Sequence, residues 1–220
     1  MIDFLFSSKQ GGQNKLLAAL RGFRSVPKLT FNEWSALWGS LVTIGPSYPG
    51  FNPVETDQHI IIVLGGPLPR YDSSIATGEH ADDGTLWILE RWKNHNKIAW
   101  DDELLGHFLI ACLDKTTGKL AVVTDINAFV PVYIAEAVDG ESHVIVGSHA
   151  DAVAIAASCE QNIDPVSIAD FLTYKTVTYP YTMYKGIRQL PAASEIKVST
   201  NGNQDVRTYW LPEEQEPPFT

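Results

Sequence analysis

The sequence predicts an α+β fold, a four-layer αββα sandwich of two antiparallel β-sheets packed between layers of helix. Three observations predict it. Strand-like segments in the second half are separated by gaps of about four to five residues, which permit antiparallel neighbours and exclude parallel crossovers. Those segments are apolar on both faces, so each sheet is covered on both sides. Amphipathic segments elsewhere supply the outer layers.

Each element has its own warrant. Residues 14–23 place Leu16, Leu20 and Phe23 at helical spacing. HIIIVL at 59–64 is a short apolar run of the kind found in a fully buried strand. Residues 85–95 form a helix with Ile88, Leu89 and Trp92 on one side. Strands follow at 105–114, 119–125, 130–137 and 143–148, all rich in β-branched and aromatic residues. Turn chemistry separates them, Thr117-Gly118 in one gap and Asp139-Gly140 in another. In the first, Leu105, Leu109, Ala111 and Leu113 share one face, while Phe108, Ile110 and Cys112 share the other. The four strands read as a meander. A helix over 149–158 carries Ala150, Val153, Ala154 and Ala157 on one stripe. Asp164-Pro165 then supplies an N-cap and a first-position proline. Ile168, Phe171 and Leu172 are the expected buried edge of the helix that follows.

Composition narrows the function classes. The 220 residues are 45% hydrophobic and 19% charged, which excludes a disordered chain and a membrane bundle alike. Sixteen Lys and Arg against 26 Asp and Glu give a net charge of −10, and no basic cluster overrides it, so nucleic acid is excluded as a partner. No apolar stretch reaches the roughly 20 residues of a membrane span, and the N-terminus lacks a signal-peptide pattern. The expected location is the cytoplasm, with Cys112 and Cys159 as reduced core thiols. One domain over 1–210 is expected, followed by a linker stub or tail over 211–220 (ending PEEQEPPFT).

Generic catalytic patterns are absent: no phosphate loop, no H-E-x-x-H, no G-x-S-x-G and no C-x-x-C. His80 with Asp82 and Asp83, and His149 with Asp151, read as cap pairs before metal ligands, so no metal site is expected. His107 and His143 read as hydrogen-bonded strand residues. Gly65-Gly66, directly after an apolar strand, is either a loop that approaches a ligand closely or a plain turn finished by Pro67 and Pro69. Asp82-Asp83-Gly84 is either a binding carboxylate pair or a helix cap.

Longer patterns carry a resemblance. Tyr184-Lys185-Gly186-Ile187-Arg188-Gln189-Leu190-Pro191 and Arg207-Thr208-Tyr209-Trp210 close a stretch that begins at Asp164-Pro165. Upstream stand Gly106-His107-Phe108 with Leu113-Asp114, then DINAFVPVY at 125–133, then Gly147-Ser148 before a helix. Together they resemble the N-terminal glutaminase domain of asparagine synthetases, with its "F-K-G-I-x-K-L-P-P-G…R-Y-W", "G-x-F-A-F-A-L-W-D" and "D-R-F-G-I-K-P-L-Y". The resemblance covers nearly the whole chain and is strongest from about residue 100. It implies the αββα sandwich of N-terminal-nucleophile hydrolases.

The resemblance also implies a chemistry that this sequence does not keep. The family begins M-C-G-I and uses the N-terminal Cys as nucleophile, with its own amine as base; here Ile2 stands in that place. Gly65 takes the position of the Asn that builds the oxyanion hole, leaving only the Gly66 amide; losing one such donor lowers rates about 100- to 1,000-fold. Ser40 falls where an Arg pairs with the glutamine carboxylate. Arg21-Gly22 keeps the start of "R-G-P-D", and Asp83 sits where an Asp binds the substrate amine. No residue is therefore expected to be catalytic; Ile2, Ser40, Gly65, Gly66 and Asp83 mark a degenerate pocket.

The leading expectation is a non-catalytic amidotransferase-like domain of an ATP-dependent, amide-forming enzyme, as in the similar β-lactam synthetases and lasso-peptide cyclases. Its partner would be a C-terminal synthetase domain, in cis or in trans, carrying the "S-G-G-x-D-S" loop that these residues lack. ATP and Mg would belong to that domain, with no cofactor in this chain. A homodimer is a further expected assembly. The competing readings are a free-standing structural or partner-binding protein and a residual hydrolase with another nucleophile.

Overall fold

The computed structural model describes residues 2–22, 29–46, 49–70, 83–94, 98–135 and 143–212. The first sheet holds β1 (Asp3–Ser7), β2 (Phe31–Ala36), β3 (Gly39–Ile44), β10 (Tyr133–Ala135), β11 (Ile145–Gly147) and β12 (Ile187–Gln189), in the order β12-β10-β11-β1-β3-β2. The second holds β4 (Val54–Glu55), β5 (His59–Leu64), β8 (Leu109–Asp114), β9 (Leu120–Thr124), β13 (Ser194–Val198) and β14 (Gln204–Thr208), in the order β14-β13-β9-β8-β5-β4. Every pairing is antiparallel. A short ribbon of β6 (Leu68–Pro69) and β7 (Leu104–Leu105) stands apart.

Strand alternation sorts the side chains into three cores. Phe4 and Phe6 of β1 meet Ile60, Ile62, Leu109, Ala111 and Leu113 between the sheets. Leu5, one residue out of phase, packs outward under α1 (Gln13–Arg21) and α4 (Ala150–Ala156). On the other side Ile61, Val63, Ile110 and Cys112 pack under α2 (Asp83–Asn94) and α3 (Trp100–Glu103). The layers are therefore α, β, β, α, as the two-faced apolar strands predict. Each fully buried aliphatic or aromatic side chain contributes about 1.5–3 kcal/mol. Both cysteines are buried thiols, and burial pushes the Cys112 thiol up to about 12.

Three expectations are corrected here. The strands between 105 and 148 do not form one meander: β8 and β9 pair in the second sheet, while β10 and β11 pair in the first. The segment after Thr124 crosses between sheets, and strands apolar on both faces cannot reveal which sheet they join. Leu105 belongs to β7 and is exposed; His107 lies in a bend before β8 and His143 just before β11, so neither is a strand residue. Lastly, the helix after Asp164, α5 (Pro165–Tyr174), starts as expected, with Asp164 accepting from the Ser167 amide at 3.1 Å and its hydroxyl at 2.7 Å. Its apolar edge is not buried: Ile168, Phe171 and Leu172 are all exposed, at 38, 42 and 66%. Phe23, the Asp139-Gly140 turn and His80 with Asp82 lie outside the described residues.

The β8–β9 turn is held by Asp114. Its carboxylate accepts from the amides of Thr116 (2.8 Å) and Thr117 (3.2 Å) and from their hydroxyls (2.6 and 2.8 Å). Partial burial pushes this carboxyl up, but the hydrogen bonds outweigh it and hold it down at about 2. A folded value below the unfolded one gives stability that is full above the unfolded value and lost as pH falls through the folded one. The urea midpoint should therefore fall as pH drops from about 4 toward 2, and Asp114→Asn should flatten that limb. An unchanged acid limb in the variant would count against this role.

Candidate functional site

Register decides what meets at each end of the sandwich. Asp3 faces Ile44, Leu5 faces Gly147, and Tyr133 faces both Gly147 and Gln189. Ile2 therefore lies at the end of the first sheet formed by Ile44, Ser148, Tyr133 and Gln189. In the second sheet Leu64 faces Leu109, and Leu109 faces Thr124. The chain runs from Thr124 into β10, and from Gln189 into β13, across this same end. Topology thus brings Ile2 and the Gly65-Gly66 loop to one end of the molecule.

Ile2 is buried, with 5% exposure, and its side chain is hydrocarbon. The nearby Ser148 hydroxyl is committed: it accepts from the Phe4 amide at 3.1 Å and donates to Asp3 Oδ1 at 3.1 Å. Gly65 and Gly66 both have left-handed backbones, φ 92° and 76°. A Cβ on Gly65 would stand 2.2 Å from the His107 carbonyl oxygen, so close backbone approach requires glycine there. Asp83 is the first residue of α2, where its charge suits the helix dipole. That helix start is docked by Gly84 and Thr85 amides donating to the Gly50 carbonyl at 2.8 and 3.2 Å.

Ser40 is not part of this end. It faces Ser7 across β1 and β3, four residues along from the Asp3–Ile44 pair, about 13 Å at strand rise. Its hydroxyl accepts from the Gly12 amide and donates to the Lys9 carbonyl. The β2–β3 hairpin fixes this register and sets Ile44 and Gly45 beside the start of β1 instead. No anchored motif in residues 29–46 allows the sequence alone to count it.

Sequence reasoning missed the residue that organises this end. Asp125, 2% exposed, accepts from the amides of Phe108 (3.3 Å), Asn127 (2.9 Å) and Phe129 (3.3 Å). Its carbonyl takes the amides of Ala128 and Ala193, and its own amide donates to Phe108. The available signal was an Asp at a strand end followed two residues later by Asn, the pattern of an Asx-turn. Around it, Tyr209 donates its hydroxyl to the Thr124 carbonyl at 2.5 Å. Arg207 pairs with the nearly buried Glu195 at 2.7 Å and donates to the Ile98 carbonyl. His107 stacks on Phe129 at 4.0 Å between ring centres.

A cavity of about 440 Å³ opens at this end, lined by Ile126, Ala128, Tyr179, Gln189, Trp210 and Leu211 among others. Among the described lining residues the one titratable side chain is Tyr179, whose hydroxyl is raised above its ordinary value by burial. These residues can hold an apolar group. Among the described residues no group of three or more His, Cys, Asp or Glu could hold a metal, and no helix is long and apolar enough to cross a membrane. His149 and Asp151 stand 3.8 Å apart, and Asp151 accepts from the Tyr184 hydroxyl.

Comparison with known proteins gives consistent results. A family described as "Glutamine amidotransferase domain" matches residues 85–210. Among solved structures, the allosteric regulatory enzyme of purine biosynthesis superposes with a TM-score of 0.55 at 10% identity, over 96% of this chain and 50% of that one. Glutamine phosphoribosylpyrophosphate amidotransferase from B. subtilis, complexed with ADP and GMP, gives 0.51 at 9% identity, over 96% and 49%. This chain spans about half the length of both. At these identities the likeness is one of fold, the two-sheet sandwich of N-terminal-nucleophile amidotransferases. No curated protein matches significantly.

Two substitutions test the geometry. Gly65→Ala should lower stability by about 3 kcal/mol, through left-handed strain and overpacking against His107. Asp125→Asn, which keeps the shape but turns one acceptor into a donor facing an amide, should cost about 1–3 kcal/mol. Denaturant unfolding measures both; wild-type midpoints would remove the structural roles given to these residues.

Proposed function

The chain belongs to the glutamine amidotransferase domain family, and from that premise we propose that it retains the fold without hydrolysing glutamine. Its role is to support an ATP-dependent, amide-forming synthetase domain related to that of asparagine synthetases. The observation that carries the proposal is Ile2: a buried hydrocarbon leads β1 where a nucleophile would have to stand. The Ser148 hydroxyl at this end of the sheet is tied into the β1–β11 junction. Gly65 supplies no side-chain donor for an oxyanion, and His107 occupies the space where one would extend.

The partner is argued from an exposed apolar surface. Val166, Phe171, Leu172 and Tyr174 of α5 are exposed, as are Tyr179, Tyr181, Trp210 and Leu211 nearby. Apolar surface of this extent on a soluble domain marks an interaction face. A second domain of similar size accords with this chain spanning half of its structural neighbours. That domain would hold ATP and Mg and activate the carboxylate, and an amine of the substrate would attack without free ammonia. A cytoplasmic setting is part of the proposal, since two buried thiols outside any disulfide suit a reducing compartment. A free-standing partner-binding protein is the second reading, favoured by the same face; the gene sequence beyond Thr220 distinguishes them.

Incubation with glutamine should release no glutamate above background, and a glutamine-analogue electrophile should leave the mass unchanged. Turnover, or an adduct mapped to Ser148, would falsify the inactive pocket.

A further inference from the structure

Among the described strands that end a sheet, β14 is the one whose edge matches a copy of itself. It closes the second sheet, with β13 on one side and no described strand on the other. Two hydrogen bonds fix which of its backbone groups face outward. The Tyr209 amide donates to the Ala193 carbonyl at 2.9 Å, and the Ser199 amide donates to the Asn203 carbonyl at 2.9 Å. Odd-numbered residues of β14 therefore bond β13, and Val206 turns its N–H and C=O away from the sheet. Val206 is 47% exposed, although its cross-strand neighbour Ile196 lies in the central core. No proline or bulge protects this edge.

The side chains are self-complementary about Val206. When two copies of β14 pair antiparallel about a two-fold axis at this residue, Val206 meets its own copy in a hydrogen-bonded pair. Asp205 of each copy then stands opposite Arg207 of the other. Within one copy Glu195 faces Arg207 and Lys197 faces Asp205. The row across four strands thus reads Glu195, Arg207, Asp205, Lys197, alternating in sign at every step. The two valines lie on the opposite face and extend the central core across the junction. Arg207 is steadied by Glu195 at 2.7 Å, while Asp205 is exposed and makes no ion pair among the described residues. The other edges do not match themselves. β4 is two residues long, and β12 is covered by Tyr181 and by the Pro180 carbonyl. β2 turns Phe31, Glu33 and Ser35 outward, because the Thr30 carbonyl is taken by Gly45, so a two-fold at its middle sets Glu33 against Glu33.

We propose that a second copy of this chain docks on β14, joining two six-stranded sheets edge to edge about Val206. The strand is short, so the contact falls below the roughly 1,600 Å² of a standard interface and the dimer is a weak one. The inference is independent of the chemistry at the Ile2 end and of any synthetase domain.

Sedimentation equilibrium of the whole chain, up to about 1 mM, should give a monomer–dimer equilibrium with a Kd of about 10–500 µM. Asp205→Lys sets like charges opposite Arg207 twice and should raise that Kd at least about tenfold at low salt, with Tm near the wild-type value. Mild oxidation tests the register. The Val206→Cys variant should form a disulfide-linked dimer, because the two positions face each other about 5.5 Å apart. Thr208→Cys should not, since each copy's residue 208 lies about 14 Å from the other at strand rise. Both positions are exposed, whereas Cys112 and Cys159 are buried. A monomer at every concentration, an unchanged Kd in folded Asp205→Lys, or cross-linking through Thr208→Cys as readily as through Val206→Cys would each overturn the assignment.

Discussion

The carboxylate of Asp125 fixes how the two sheets meet. It sits where the chain leaves β9 for the other sheet and gathers amides from both sides of that crossing, Phe108 before β8 and Asn127 and Phe129 beyond. Its carbonyl binds Ala193 on the second crossing, which leads to β13. A buried carboxylate is tolerated only when such donors replace its water. These donors are backbone amides, so satisfying the charge also sets the path of three segments. The Gly65 contact with His107, the stack of His107 on Phe129 and the wall of the neighbouring cavity are all built on these segments.

The layered architecture was legible because apolar residues on both faces of a strand leave few ways to cover it. Leu109, Ala111 and Leu113 fall in the central core and Ile110 and Cys112 in an outer one, as the alternation requires. The partition of strands between sheets was not legible. A strand covered on both sides looks the same in either sheet, and the choice rests on the long-range bonds of Asp125. Register was hidden for a related reason: the β2–β3 hairpin moves Ser40 to the far end of β1, and no local pattern counts the residues between them.

The apolar edge of α5 shows a further limit of pattern reading. Its spacing and its Asp164 cap are those of a core helix, and the local geometry follows. Periodicity reports that a face excludes water; it does not report what covers it. Among the described residues nothing buries this face, and Ser167 alone is buried on the helix. A net charge of −10 can keep a domain with such a face in solution, while the face itself gains most by meeting another apolar surface.

Under the proposed function, the position of Ile2 bears on how a fold of this kind can lose a reaction and keep its shape. The three cores are built from the strands and from α1, α2, α3 and α4, and Ile2 belongs to none of them. A nucleophile and its oxyanion donors must be held exposed and polar, which stabilises nothing by itself and commonly costs stability. A hydrocarbon at residue 2 instead buries about 1.5–3 kcal/mol of apolar side chain, and glycine at residue 65 relieves a contact that any side chain would make worse. Once a reaction no longer needs that end, both residues lower the free energy of the fold. The Asp125 network, which serves the backbone and not the substrate, has no such alternative.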